Sequence, residues 1–282
     1  MLSGNTSGAV YHHLTAAHAI IQELQVSRAA FVIDRKLLSL SLEVYAYVSI
    51  VNCVTPYGFP DDRRMPLDML SESVGCLSSH LVGGDMFTGC HRLFKLIPPV
   101  THLAGQCLSE QRRLGDWNSD DNSLIALHDN IKRQIIGWKP PESLARNDAK
   151  CHQIRLAAEV TKHALMVYLS TAMLGATQPS AMVWTHIQSE IQAAFSLFGH
   201  ISDTEILTIL LWPLIILGSC MVHAEQQDLL IRGLTTNCFE MRHLYNICEV
   251  LQLLWNDPDP LAFGPYGLYM IMRKHGLHIS IL

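Results

Sequence analysis

Charge is scarce in this sequence. Only 16% of its 282 residues are charged, and 20 Lys and Arg stand against 25 Asp and Glu, for a net charge of −5. A net acidic chain lacks the basic face of an autonomous nucleic-acid-binding domain. The basic pairs Arg63-Arg64, Arg112-Arg113 and Lys132-Arg133 are short and scattered, so no nuclear-import run is visible. No basic stripe with interleaved aromatics offers a platform for single strands. Low charge beside 49% hydrophobic residues also excludes a disordered chain, because disorder needs the opposite balance.

The familiar reactive motifs are missing as well. There is no G-x-x-x-x-G-K-[ST] and no G-x-G-x-x-G, so the backbone cradle for phosphates is absent. No H-E-x-x-H and no G-x-S-x-G elbow occurs. The eight cysteines, at 53, 76, 90, 107, 151, 220, 238 and 248, include no C-x-x-C pair, which removes the spacing of a structural zinc site. They read as small core hydrophobes. The N-terminus, Met1 to Leu14, has neither a basic start nor an apolar core, so secretion and disulfide pairing are not expected.

What is abundant is apolar surface, with a mean hydropathy of +0.19. The longest apolar run, Ile206 to Val222, contains Thr208, Pro213, Gly218 and Ser219 and falls short of the roughly 20 residues that cross a bilayer. It reads as the buried centre of a helical bundle, not as a membrane span. Ser202-Asp203-Thr204-Glu205 has the form of a capping box that opens it, and Pro213 predicts a kink within it.

Helical periodicity dominates elsewhere, without alternating strands or a hairpin signal. Helices are expected over Leu14–Leu24, with Leu14, Ala17, Ile20/Ile21 and Leu24 on one stripe, and over Leu37–Val51. A turn-rich loop follows at 56–66, and Gly83-Gly84 ends an ambiguous stretch. Cys90–Leu108 reads as a helix bent at Pro98-Pro99. Leu124, Leu127, Ile131 and Ile135 mark another, closed by Trp138-Lys139-Pro140-Pro141. A long helix spans Arg146–Met173, and Ser180 caps one carrying Val183, Ile187, Ile191 and Ala194. Glu240–Trp255 shows Tyr245, Cys248, Leu251/Gln252 and Trp255 along one face, and a shorter helix and tail complete the chain from Phe263. With no repeat of solenoid period, this predicts an all-α fold. The architecture is a single large bundle-like domain over 1–282, with a possible subdivision near 139–146.

Two constellations invite chemistry. Fifteen histidines are many, but His152 and His163 lie eleven apart, three turns along one helix, and cannot share a metal. The acidic patch Asp116, Asp120 and Asp121 resembles, in part, the aspartate-rich magnesium motif of class I terpene cyclases, which are also all-helical. Position 124 is Leu, however, and a second metal motif is not evident. Hard magnesium needs carboxylates converging from two helices. The main reading is therefore a chain with no catalytic residue, metal or cofactor. The alternative is a magnesium-dependent, terpene cyclase-like enzyme of secondary metabolism using Asp116, Asp120 and Asp121.

A set of apolar signatures carries a closer likeness. They are Leu210-Leu211-Trp212-Pro213-Leu214-Ile215-Ile216-Leu217-Gly218, then Arg232 followed by Met241–Trp255 and Asp257, and upstream Ala157-Ala158, Ala164-Leu165 and Tyr168-Leu169. Gly89-Cys90-His91-Arg92-Leu93-Phe94-Lys95-Leu96-Ile97, His102-Leu103-Ala104 and His13-Leu14-Thr15-Ala16-Ala17 add to them. Together they resemble the fungal-specific transcription factor domain, the regulatory domain found C-terminal to binuclear zinc clusters. The likeness implies an all-helical regulator of a DNA-binding neighbour, in the nucleus or cytoplasm. It implies a protein partner, a homodimer or a small apolar effector, lodged in an apolar chamber beside the Trp212 helix. The C-x2-C-x6-C zinc module does not occur, and the helices that normally precede the His13 segment are not seen. A fragment, a stand-alone regulator and a scaffold put to another use remain open, and DNA binding by this chain alone is not expected.

Overall fold

The computed structural model describes residues 6–26, 35–51, 87, 90–114, 122–145, 148–201, 206, 209–236 and 242–277. Its elements are α1 (Thr6–Val26), α2 (Arg35–Val51), α3 (His91–Phe94), α4 (Ile97–Leu114) and α5 (Asn122–Gly137), then a 3-10 turn at Glu142–Ala145. They continue with α6 (Ala149–Ala172), α7 (Ala181–Phe198), α8 (Leu211–Ser219), α9 (Ala224–Thr236), α10 (Arg242–Asn256) and α11 (Gly264–His275). The fold is all-α, and no strand occurs among the described residues. The turn-rich loop at 56–66, Gly83-Gly84 and the capping box at 202–205 lie outside them.

Helix α6 is the axis of the molecule. It packs against α4, α5, α7, α8 and α11. Thirteen of its residues are buried, from Ile154 to Ala172. Small Ala157, Ala158, Ala164 and Ala172 are among them, and a stripe of alanines lets neighbouring helices come close. Its start is fixed by Asp148, whose carboxylate accepts the Cys151 N–H at 2.7 Å and satisfies one orphan donor of the first turn. Ser180 does the same for α7 through the Val183 N–H, as the sequence predicts. One continuous apolar cluster joins residues from Ala46 on α2 to Met272 on α11. Around 139–146, Trp138 is buried, and the Arg155 guanidinium donates to the Leu144 carbonyl at 3.0 Å.

Both proline expectations need correction, for one physical reason. The break near Pro98-Pro99 falls earlier, at Lys95-Leu96, and α4 begins at Ile97 with both prolines in its first turn. Near Pro213 the break likewise falls earlier, between helical Ile209 and Leu211. The chain turns at Leu210, and α8 starts at Leu211 with Pro213 in its opening turn. The first N–H groups of a helix have no intrahelical acceptor, so proline forfeits nothing there. A proline read as a bend is here a start signal.

Two apolar stripes also differ from expectation. On α10 the core face is Leu244, Ile247, Cys248, Leu251 and Leu254, whereas Tyr245 is 59% exposed. On α1, Leu14 is buried but Ile20 is 59% exposed. The four buried cysteines among the described residues, Cys90, Cys107, Cys220 and Cys248, are free thiols within the core, and Cys151 is half-buried.

Candidate functional site

The WP-G segment lies at the centre of the fold. Every residue of α8 is buried, and the helix contacts α6, α9, α10 and α11. No helix among the described residues is long and apolar enough to cross a membrane. Trp212 is fully buried and meets Tyr168 of α6 edge-on, with ring centroids 5.5 Å apart at 82°. Such edge-to-face pairs add to the burial energy of both rings.

Tyr168 thus packs directly against Trp212, where the sequence reading expects an apolar chamber. The contact continues to α4, because the Tyr168 hydroxyl lies 3.0 Å from Thr101 Oγ1. Thr101 already gives its own proton to the Ile97 carbonyl at 2.9 Å, so Tyr168 is the donor to Thr101. The indole N–H of Trp212 has no hydrogen-bond partner among the described residues.

At the other end of α8, Gly218 lets α9 and α10 close in. A Cβ there would sit 2.6 Å from a methyl of Leu230 and 3.2 Å from one of Leu251. Its carbonyl accepts the Trp255 indole N–H at 2.9 Å. Cys220 follows, and burial pushes its thiol up to about 12. The Trp, Pro and Gly of the motif are therefore packing devices, each solving a separate steric problem of one buried helix.

Titratable groups cluster elsewhere. His163 of α6 contacts Glu190 of α7 at 2.6 Å, and His186 approaches the same carboxylate at 3.8 Å. His18 pairs with the Tyr45 hydroxyl at 3.1 Å, while His152 is exposed. Among the described residues no three His, Cys, Asp or Glu side chains come together in a way that could hold a metal ion. Asp116, Asp120 and Asp121, the residues of the magnesium reading, lie outside the described residues. Asp129 is exposed on α5 beside His128.

The structure also presents a cleft that sequence reasoning missed. It measures about 220 Å³ and is lined by Arg112 at the end of α4, Asp257 and Asp259 of the loop before α11, and Tyr266, Tyr269, Arg273 and Lys274 of α11. Asp257 is held there, its carboxylate taking Lys274 Nζ at 2.6 Å and the Asp259 N–H at 2.9 Å. The Lys274 ammonium lowers the Asp257 pKa, helped by the Asp259 N–H. Asp259 in turn accepts the Leu261 N–H at 2.8 Å. The sequence did hold one signal: Tyr266, Tyr269 and Arg273 are spaced i, i+3, i+7 and share a helix face. The pairing of that face with Arg112 was invisible, since the two are over 150 residues apart. A neighbouring hollow at Thr171, Phe263 and Tyr266 holds only about 10 Å³, room for one water at most.

Comparison with known proteins agrees with this construction. The family model described as the fungal specific transcription factor domain matches residues 1–280. No curated protein and no solved structure matches. With the match spanning almost every residue, the chain belongs to the fungal-specific transcription factor domain family.

Proposed function

We propose that this chain is the regulatory domain of a transcription regulator, acting in the nucleus on a DNA-binding module by binding a protein partner or a small effector. The match of the family model over residues 1–280 carries the reading. The net charge of −5 supports it, because an acidic domain relies on a basic neighbour for contact with DNA.

A reporter experiment tests it. The full chain, joined to a heterologous DNA-binding module, is expressed beside a reporter gene carrying that module's site. The expected result is a several-fold change in transcription relative to the module alone. An unchanged reporter, with the fusion shown to be folded and in the nucleus, refutes the reading. The competing magnesium-enzyme reading gives a different outcome: a hydrocarbon product from farnesyl diphosphate and magnesium, lost when Asp120 and Asp121 are replaced by Ala.

A further inference from the structure

The cleft between the end of α4 and α11 has an uneven charge balance. Three cationic side chains, Arg112, Arg273 and Lys274, line it with two carboxylates, Asp257 and Asp259. The carboxylates are already engaged. Asp257 is only 5% exposed beneath Lys274, and both Asp side chains accept backbone N–H groups of their own loop. Lys274 is spent on Asp257. The two guanidiniums are not. Neither Arg112 nor Arg273 has a carboxylate partner among the described residues, and Arg273 reaches only the Tyr269 hydroxyl, at 3.5 Å. The neighbouring Arg113, in contrast, is tied to Glu110 at 2.7 Å. Among the described residues, two arginines without a carboxylate partner thus share one concave site.

The remaining walls are apolar and aromatic. Tyr266 and Tyr269 present rings 6.3 Å apart at 39°, with Met270 and Ile271 beside them. Guanidinium groups bind carboxylates through two parallel hydrogen bonds, and tyrosine rings pack planar molecules. A volume of about 220 Å³ exceeds the roughly 150 Å³ that encloses a benzene ring and falls below the usual range for drug-sized ligands. We propose that this cleft is the effector site of the domain and that its ligand is a small aromatic carboxylate, the carboxylate held by Arg112 and Arg273 and the ring by Tyr266 and Tyr269. The inference rests on the regulatory reading above and gives its effector a chemical class and an address.

Benzoate is the probe, with benzamide as its neutral isostere, titrated into the full chain and followed by isotope-edited NMR of the Arg and Tyr side chains. Benzoate is expected to saturate and to shift Tyr266, Tyr269 and Arg273 signals, while benzamide binds at least tenfold more weakly. Replacing Arg112→Gln and Arg273→Gln together should weaken benzoate at least tenfold, as the loss of charge-assisted hydrogen bonds requires. Arg133→Gln, on the exposed face of α5, should change nothing. Equal binding of benzoate and benzamide, no saturable binding of benzoate, or unchanged affinity in the double variant each overturns the site. The comparison of the two probes needs no variant, so a misfolded substitution does not blunt it. A reporter that responds while benzoate fails to bind sinks the site alone. Binding in a chain that leaves the reporter silent sinks the regulatory reading alone.

Discussion

The indole N–H of Trp255, near the end of α10, donates to the carbonyl of Gly218 on α8 at 2.9 Å. Gly218 is one of the last residues of α8, where carbonyls lack an intrahelical acceptor bond. Trp255 is half-buried, and its N–H needs an acceptor out of water. Trp255→Phe keeps the ring and removes this donor, leaving the Gly218 carbonyl with only the Met221 N–H at 3.2 Å. Stability should fall by about 0.5–1.5 kcal/mol, read as a lower urea midpoint at an unchanged slope.

Gly218→Ala tests the close approach on the same residue. Alanine is the better helix former by roughly 0.5–1 kcal/mol, so an open site would be stabilised. Here the added methyl meets Leu230 at 2.6 Å and Leu251 at 3.2 Å, and both are fully buried. Overpacking should win, with a net loss of about 1–3 kcal/mol in urea unfolding. A gain in stability would show that the three helices can part.

Tyr168→Phe separates the ring from its hydroxyl. The edge-on contact with Trp212 survives, and Thr101 keeps its bond to the Ile97 carbonyl. The expected loss is about 0.5–1.5 kcal/mol. Trp212→Ala removes the ring itself from the centre of the core and should cost about 3–5 kcal/mol, enough to unfold many domains. Thermal unfolding followed by circular dichroism ranks the two.

The Asp257–Lys274 pair predicts a pH dependence with a definite sign. The folded-state pKa of Asp257 is lowered, chiefly by the Lys274 hydrogen bond. Its contribution is therefore fully present above the unfolded aspartate value and is lost as pH falls through the lower folded value. Asp257→Asn should lose that contribution at pH 6 and flatten the acid limb, so that the two stability curves converge at low pH. Urea midpoints measured from pH 6 down to pH 2 decide it.

Thiol reactivity should follow burial. Burial pushes Cys220 up to about 12, which keeps it protonated as the thiol near neutral pH. Cys151 is half-buried, beside Asp148. Iodoacetamide labelling of the folded chain, resolved by peptide mass spectrometry, should modify Cys151 long before Cys90, Cys107 or Cys220. Early modification of Cys220 would mean that α8 opens.

Much of this molecule is written locally. Apolar residues three and four apart set α5, α6, α7 and α10, and the Ser180 cap is readable because a cap depends on a few adjacent residues. Pro98-Pro99 and Pro213 were ambiguous, since one residue type bends a helix from within and opens one from its first turn. Only the position of the preceding break, at Leu96 or Leu210, separates the two outcomes. The exposure of Tyr245 shows the same limit: an aromatic extends an apolar stripe in sequence, yet only the neighbouring helix determines where the stripe ends.

The sequence by itself determined that the chain is helical, that α8 is a core helix and that its signatures match a regulatory family. The first two follow from periodicity and composition, which act over a few turns, whereas the likeness rests on particular residues such as Trp212, Pro213 and Gly218. Tertiary structure alone decided that Tyr168 packs directly against Trp212, that Gly218 and Trp255 lock α8 to α10, and that Arg112 shares a cleft with Tyr266, Tyr269 and Arg273. Each of these joins residues far apart in the chain, and such contacts arise from the way whole helices stack, which no local spacing encodes.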